Sequence, residues 1–212
     1  MSRSSAAAEP PTVFVVDDDD DFRDSVSMLC ESVGLRVESF SSASEFLDGA
    51  SPDRRGCLVL DIRMPGMSGL ELQRELVERG ASWPILFMTG HGDVPMAVTA
   101  LKAGAFDFLT KPFSHQDLLD RIHSALRFAE EERSREVRRE ELVERFATLT
   151  PREREVMELV VQGLANKVVA NRLGISQRTV EIHRAQVMEK MAAESLADLV
   201  RMAVILEEQV QE

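Results

Sequence analysis

Residues 58–69 read LVLDIRMPGMSG, an apolar run that ends at Asp61 and opens into a loop rich in turn-forming residues. An earlier apolar run, VFVV at 13–16, ends in the same way at Asp17 and Asp18. Because parallel strands place ligand chemistry beyond their carboxyl ends, these three carboxylates are expected to share one site. Three neighbouring negative charges need a compensating cation, and the oxygen-seeking Mg²⁺ is the usual one. The sequence therefore predicts a magnesium site at which Asp61 accepts a phosphoryl group.

Short apolar runs alternate with amphipathic helical stretches on both sides of these motifs, from residue 12 to about residue 125. Strands are predicted near residues 12–16, 35–40, 57–61, 84–89 and 106–109, each followed by a helix. Five such units predict an α/β fold over residues 11–125, a doubly wound sandwich around a five-stranded parallel sheet.

The first predicted helix illustrates the pattern. Asp20 is expected to be its N-cap, and Gly34 is expected to end it. Between them, apolar residues at helical spacing should cover one sheet face, namely Phe22, Val26, Leu29 and Val33.

The sequence changes character after Phe113, since residues 114–150 contain neither Gly nor Pro. Ser114 and Asp117 have the spacing of a capping box, which predicts a helix that begins at residue 114. Residues 126–146 are highly charged, which favours a solvated helical linker between two domains. A flexible charged linker is the alternative.

Residues 147–212 have the pattern of a small all-α four-helix domain. Helices are predicted at 151–162, around 167–173, from a cap at Ser176 to about Met191, and at 196–208. The second and third of these, joined by a Gly-containing turn, form a helix-turn-helix pattern. The chain has a formal net charge of −12, yet residues 163–190 carry five basic residues against two acidic ones. Such a local basic patch is suited to contacts with nucleic-acid phosphates.

Composition favours a cytoplasmic protein that does not enter membranes. Cys30 and Cys57 lack metal-ligand spacing and are typical of small apolar fillers in a reduced protein. No apolar stretch approaches the roughly 18 to 20 residues that span a bilayer, and the N-terminus lacks a hydrophobic secretion core.

Five motifs in order resemble known families. Residues 12–125 resemble a two-component receiver domain, through Asp17-Asp18, the stretch around Asp61, Thr89 and Lys111-Pro112. Residues 148–206 resemble the LuxR-type helix-turn-helix. With TGHGDVPMAV at 89–98 and VMEKM at 187–191, the chain is similar to the FixJ/StyR/TodT group of response regulators.

The resemblance implies a phosphorylation-regulated, DNA-binding transcriptional regulator that is not an enzyme beyond slow self-dephosphorylation. It assigns the phosphoacceptor role to Asp61, and Mg²⁺ binding to Asp17, Asp18, Asp61 and the backbone carbonyl of Arg63. It also assigns phosphoryl binding and switching to Thr89, Phe108 and Lys111. Because the chain contains no Tyr, the switch aromatic must be apolar.

The helix that begins after Ser176 is expected to read DNA. Its outward stripe should enter the major groove through Arg178, Glu181, Ile182 and Ala185. Side chains suited to phosphate contacts are Asn166, Lys167, Thr179, Arg184 and Lys190. The opposite stripe should face the domain core, namely Val180, His183, Val187 and Met191.

The expected partners are a sensor histidine kinase, double-stranded promoter DNA and RNA polymerase. Phosphorylation is expected to produce a homodimer, through the fourth helix and fifth strand of the receiver. Asp19 to Asp21 are expected only to cap and solvate, and His91 to have no catalytic role.

Two alternatives stay open. One is a regulator that binds DNA whatever its phosphorylation state. The other is a haloacid-dehalogenase-type phosphatase with Asp17 as nucleophile and Asp19 as acid/base, which leaves Asp61 and the helix-turn-helix without a role.

Overall fold

The computed structural model describes residues 10–52, 54–90 and 94–208 of the chain. It divides into two compact units, one that extends to Glu132 and one that begins at Arg133. Each unit has a hydrophobic core of its own.

The first unit contains the predicted five-stranded parallel sheet, with strand order β2-β1-β3-β4-β5. The strands are β1 (Thr12–Val16), β2 (Arg36–Phe40), β3 (Gly56–Asp61), β4 (Ile85–Thr89) and β5 (Asp107–Thr110). The predicted strands lie within one residue of these bounds at each end. The buried strands could be predicted because strands in the interior of a parallel sheet are near-continuous apolar runs bounded by turn residues.

Helices connect successive strands and cover both faces of the sheet. They are α1 (Asp20–Ser32), α2 (Ala43–Gly49), α3 (Gly69–Glu78), α4 (Val94–Lys102) and the start of α5 (His115–Ala147). Along β1 the side chains alternate, so that Val13 and Val15 join one core cluster whereas Phe14 and Val16 join the other. Two clusters on opposite faces are the mark of a doubly wound α/β fold.

Two details of α1 differ from the prediction. Asp19, not Asp20, is the N-cap, because its side chain accepts a hydrogen bond from the Phe22 backbone N–H. Val33 is 47% exposed, since the helix ends at Ser32 and the C-cap backbone leaves the helical path there. Cys30 takes the inward position instead and is fully buried. Gly34 follows with a φ of 80°, a left-handed conformation that glycine adopts at little cost.

The second unit packs four short helices around one core. They are α6 (Pro151–Val161), α7 (Asn166–Leu173), α8 (Gln177–Met191) and α9 (Leu196–Glu208). Thr150 and Glu153 form the predicted capping box, and Ser176 caps α8 by accepting from the Thr179 backbone N–H.

Residues 126–146 are helical throughout, as part of α5, which confirms the helical prediction over the flexible one. The division of the chain into two compact units falls at Glu132, and the linker bounds of 126–146 stay a prediction. Leu126 packs against the core of the first unit, whereas Leu142 and Phe146 belong to the core of the second. Among the described residues, no helix is both long enough and apolar enough to cross a bilayer.

Candidate functional site

Asp61 is the last residue of β3 and is only 9% exposed. Its Oδ2 accepts a hydrogen bond from the Arg63 backbone N–H at 2.7 Å, and its Oδ1 accepts one from Lys111 Nζ at 2.9 Å. The loop that follows folds back tightly, since the Gly69 N–H donates to the Ile62 carbonyl. A Cβ on Gly69 would lie 2.2 Å from the Asp61 carbonyl oxygen, so only glycine allows this approach.

Asp17 directly follows β1 and is also buried. Val16 is paired with Leu60 in the neighbouring strand, so the next residues, Asp17 and Asp61, emerge side by side. Asp17 Oδ1 accepts from the Asp19 backbone N–H at 3.0 Å, and its Oδ2 accepts from Lys111 Nζ at 2.8 Å. The predicted shared site is therefore present for these two carboxylates.

Lys111 closes the site from the end of β5. Its backbone N–H donates to the Thr89 carbonyl at 2.7 Å, and its peptide bond to Pro112 is cis. Its ammonium bridges Asp17 and Asp61 and lies 4.0 Å from the centroid of the Phe22 ring. One cation thus neutralises part of the charge of two buried carboxylates.

Burial and ion pairing have opposite effects on the pKa values of Asp61 and Lys111. Burial raises the pKa of the Asp61 carboxyl above its ordinary value, although the hydrogen bond from Lys111 acts in the opposite direction. For Lys111, burial opposes the charged form, but hydrogen bonds to Asp17 and Asp61 outweigh it and raise the pKa of the ammonium. Lys111 is therefore charged at neutral pH, whereas the ionised form of Asp61 is held at a cost.

The two predicted switch residues lie on neighbouring strands. Thr89 ends β4, is buried, and has its hydroxyl 3.5 Å from that of Thr110, its partner on β5. Phe108 lies beside Phe87 and is partly buried against the core cluster that contains Phe14 and Phe46. Thr110 was not singled out from the sequence, because only the pairing of β4 with β5 brings it to Thr89.

The donors available for Mg²⁺ are hard carboxylate oxygens, which is the chemistry this ion requires. Asp18 is exposed, however, and within the described ranges no three His, Cys, Asp or Glu side chains converge as a metal-binding group. Mg²⁺ usually keeps several waters and needs only one or two carboxylates in addition to substrate phosphate oxygens. Asp17 and Asp61 satisfy that requirement, while roles for Asp18 and the Arg63 carbonyl stay predictions.

The sequence reasoning missed two contributors to the site. Arg23 donates to the Asp17 backbone carbonyl at 2.7 Å and pairs with Asp20, and Phe22 contacts Lys111. The spacing of Asp20 and Arg23, three residues apart on a helix, is a signal for their ion pair. No local signal connects Phe22 with a lysine 89 positions later. His91, two positions after Thr89, lies outside the described residues.

In the second unit, α8 presents the predicted outward face. Its exposed residues include Arg178, Glu181, Ile182 and Ala185, and Ile182 is an apolar side chain left 52% exposed. The opposite face is buried through Val180, Val187 and Met191, whereas His183 is half-buried. An exposed face of this mixed chemistry is available for contact with base edges.

Among the residues predicted to contact phosphates, Lys167 is exposed. The side chains of Asn166, Thr179 and Arg184 are half-buried and form hydrogen bonds within the domain. Arg184 donates to the Asn166 side-chain oxygen at 3.2 Å, and the Thr179 hydroxyl hydrogen-bonds with that of Ser176. Asn166 and Thr179 lie near the starts of α7 and α8, the two helices of the helix-turn-helix, whereas Arg184 lies in the middle of α8.

Lys190 is engaged in contacts within the fold. Its ammonium donates to Glu153 Oε2 at 2.6 Å and to the Thr148 carbonyl at 3.3 Å. Glu153 is 2% exposed, and the hydrogen bond from Lys190 is the main cause that lowers the pKa of its carboxyl. Because a buried carboxylate left without its partner is costly, a phosphate contact by Lys190 would compete with this ion pair, and that contact stays a prediction.

Comparison with protein families matches both units. Residues 13–123 match the family described as response regulator receiver domain, and residues 147–203 match bacterial regulatory proteins of the luxR family.

Relatives with the same arrangement cover most of the chain. The transcriptional regulatory protein FixJ of Azorhizobium caulinodans is 52% identical over 86% of this chain and 87% of its own length. The response regulator protein TodT of Pseudomonas putida is 48% identical over 89% of this chain and 83% of its own. The solved structure of the response regulator StyR is 48% identical and covers 92% of this chain and 98% of that one, with a TM-score of 0.79. The chain therefore belongs to the two-component response regulators that act as transcription regulators, with a receiver domain followed by a LuxR-type DNA-binding domain.

Proposed function

We propose that the receiver domain accepts a phosphoryl group on Asp61 from a sensor histidine kinase, and that this event controls binding of the second unit to promoter DNA. The observation that carries the proposal is the Lys111 ammonium held between Asp17 and Asp61 beyond the strand ends. A buried carboxylate beside a fixed cation is suited to receive a phosphoryl group, whose charge the cation then stabilises.

In the transfer step, a carboxylate oxygen of Asp61 attacks phosphorus while the bond from phosphorus to the donor atom breaks, which leaves an acyl phosphate. The Arg63 N–H holds Oδ2, so the orientation of the carboxylate is fixed before the donor arrives. Lys111 then pairs with a phosphoryl oxygen as a point charge. Mg²⁺, held by Asp17 and Asp61 and completed by Asp18 and the Arg63 carbonyl, would neutralise phosphoryl oxygens. No further turnover is expected beyond slow loss of the phosphoryl group.

Thr89 and Phe108 would convert the modification into a change of conformation. The buried Thr89 hydroxyl can donate to a phosphoryl oxygen and so draw the end of β4 toward Asp61. Phe108, which has no hydroxyl, would respond only through packing. A shift from 1:99 to 99:1 between two states requires about 5.5 kcal/mol of differential stabilisation.

DNA would be read by the exposed face of α8. Glu181 can accept a hydrogen bond from cytosine N4, while Ile182 and Ala185 can contact a thymine methyl group. Arg178 can donate to a base or a phosphate. Phosphate contacts that position the domain would come from Asn166, Lys167, Thr179, Arg184 and Lys190.

A single α8 face is expected to bind DNA with modest affinity. We therefore propose that a homodimer binds a partly palindromic DNA site. Phosphorylation would favour a dimer through α4 and β5. On α4 the exposed apolar side chains of Val98 and Leu101 are available for such a contact. RNA polymerase at the promoter and a cytoplasmic location complete the proposal.

The proposal is tested by treating the protein with acetyl phosphate and Mg²⁺, followed by intact-mass measurement and sizing. We expect an adduct of about 80 Da, the mass of one phosphoryl group, and a larger species on the column. Asp61→Asn should show neither, whereas Asp24→Asn, which changes an exposed carboxylate on α1, should behave as wild type. An equal adduct on Asp61→Asn would show that another side chain is the acceptor.

A further inference from the structure

The face of the Phe22 ring lies against the functional ammonium of the receiver. Lys111 Nζ is 4.0 Å from the ring centroid while it also donates to Asp17 and Asp61. The ring is itself held by an edge-to-face contact with Phe113, at 6.0 Å between centroids and 87° between planes. Both aromatic residues pack against the core cluster that contains Val26 and Cys30.

A cation over an aromatic face is attracted by the negative potential of the ring. The distance is well inside the limit of about 6 Å within which this attraction operates. Lys111 needs such a contact, because its flexible four-carbon stem is 29% exposed and could otherwise swing the ammonium into solvent. The two carboxylates restrain the ammonium from one side, and the ring restrains it from another.

The ring differs from the carboxylates in one respect. When Asp61 becomes an acyl phosphate, the charge on Oδ1 that binds Lys111 is lost, whereas the ring remains unchanged. Phe22 can therefore hold the ammonium in place both before and after transfer.

We propose that Phe22 is a positioning residue for phosphoryl transfer, which keeps the Lys111 ammonium over Asp61. This inference rests on the proposed acceptance of phosphate by Asp61. It assigns a role in the chemistry to a side chain that helical spacing alone places among the core residues of α1.

The first test compares the rate of acyl phosphate formation from acetyl phosphate and Mg²⁺ in variants of the full chain. Phe22→Leu keeps an apolar side chain but removes the ring, so the rate should fall about three- to tenfold, the range expected for a partly exposed cation–π contact. Phe22→Tyr keeps the ring and should restore the rate. Phe128→Leu removes an exposed phenylalanine that stacks with Phe106 away from Asp61, and should behave as wild type.

A double-mutant cycle distinguishes a positioning role of Phe22 from a purely structural one. In a Lys111→Met background, Phe22→Leu should cause no further loss of rate, because the group that the ring positions is absent. An equal loss in both backgrounds would overturn the proposal, and so would a wild-type rate in Phe22→Leu.

The second test needs neither phosphorylation nor a mutation of Phe22. In NMR spectra of lysine-labelled wild-type protein, the ε-CH₂ signal of Lys111, assigned by its loss in Lys111→Met, should be shifted upfield by the ring. An unshifted signal would contradict the contact. If the wild-type protein takes up no phosphoryl group, the proposed function fails, and this spectrum shows separately whether the ring holds the ammonium.

Discussion

Lys111 is the residue on which the receiver site converges. Its ammonium contacts Asp17, Asp61 and the Phe22 ring, so one side chain connects the ends of β1, β3 and β5 with α1. The ionised form of Asp61 is nevertheless disfavoured, because burial, together with the charge of Asp17, raises the pKa of its carboxyl, and the contacts with Lys111 and the Arg63 N–H offset this only in part. The reactive carboxylate is thus kept available at some expense of stability.

The first prediction concerns the stability that is lost when Asp61 is ionised in the folded protein. A carboxyl whose folded pKa is raised contributes stability below its unfolded pKa and loses that contribution as the pH rises through the folded pKa. Asp61→Asn should therefore raise the thermal midpoint of the receiver unit at pH 7, by about 4 °C for each 1 kcal/mol gained in a unit of this size. Trp83 is the chain's single tryptophan and lies in the receiver core, so its fluorescence reports this transition. A midpoint below that of wild type at pH 7, or a difference that does not shrink toward about pH 4, would contradict this assignment.

The second prediction separates base readers from phosphate contacts in the helix-turn-helix. Glu181→Ala should alter the preferred base at one operator position, because this carboxylate is exposed on the face of α8. Lys167→Ala should weaken binding to all sequences and lower the salt slope by about one. Binding to a panel of duplexes at several salt concentrations measures both effects. If the two variants behaved alike, the assignment of the two sets of residues would be wrong.

Individual site residues could be predicted from the sequence where they lie at the end of a strand or directly after it. Asp17, Asp61, Thr89 and Lys111 each lie within one residue of the end of a buried apolar run, so topology brings them to one edge. The partners of Lys190 and the contact of Phe22 were not predictable, because they join residues far apart in sequence. Lys190 has the charge of a phosphate contact, and only folding places the buried Glu153 beside it.

Among the elements, α6 and α8 are joined by a partly buried ion pair. Glu153 has two roles, as the acidic member of the capping box with Thr150 and as the partner of Lys190 on α8. Lys190 also donates to the Thr148 carbonyl, so α8 is connected to the segment that directly precedes α6.

The third prediction tests this connection. Glu153→Gln can still cap α6 but loses the charge that binds Lys190, and should cost about 1–2 kcal/mol at pH 7. The hydrogen bond from Lys190 lowers the pKa of Glu153, so its contribution is present above the unfolded pKa and is lost as the pH falls through the folded pKa. Urea unfolding followed by circular dichroism measures the cost, and Trp83 fluorescence should not change. Glu158→Gln, an exposed glutamate on the same helix, is the matched control, and an equal effect of both variants would exclude the ion pair as the cause.

The elements themselves were predicted well because each carries a local signal. Strands showed apolar runs, and the helices of the second unit showed caps at Thr150, Ser176 and Ser195. The start of α1 was wrong by one residue, since five consecutive aspartates offer several caps of equal quality and packing selects Asp19.

At the scale of the whole molecule, the division between units lies within α5 and not at its ends. Charge and composition indicated a linker at 126–146, but they do not show which core an apolar residue joins. Leu142 is 7% exposed in the core of the second unit, where it packs with residues of α6 to α9. This core therefore includes a residue that precedes the part of the chain matched by the luxR family, which begins at 147.

The fourth prediction follows from this packing. Leu142→Ala should destabilise the second unit by about 2–4 kcal/mol, as expected when a buried leucine is truncated. Val143→Ala, which changes the neighbouring exposed side chain, should have little effect. Circular dichroism in urea should show the loss without a change in the Trp83 transition. A coincident shift of the Trp83 signal would place Leu142 in the receiver instead.

The fifth prediction concerns the central claim, that Asp61 in one unit controls what the other unit binds. The most direct measurement is the affinity for a duplex selected from a random pool, determined by fluorescence anisotropy with and without acetyl phosphate and Mg²⁺. Wild-type protein should bind at least about tenfold more tightly after treatment, which corresponds to about 1.4 kcal/mol, and Asp61→Asn should not respond. Equal affinity of the treated and untreated wild-type protein, or equal stimulation of Asp61→Asn, would contradict the account.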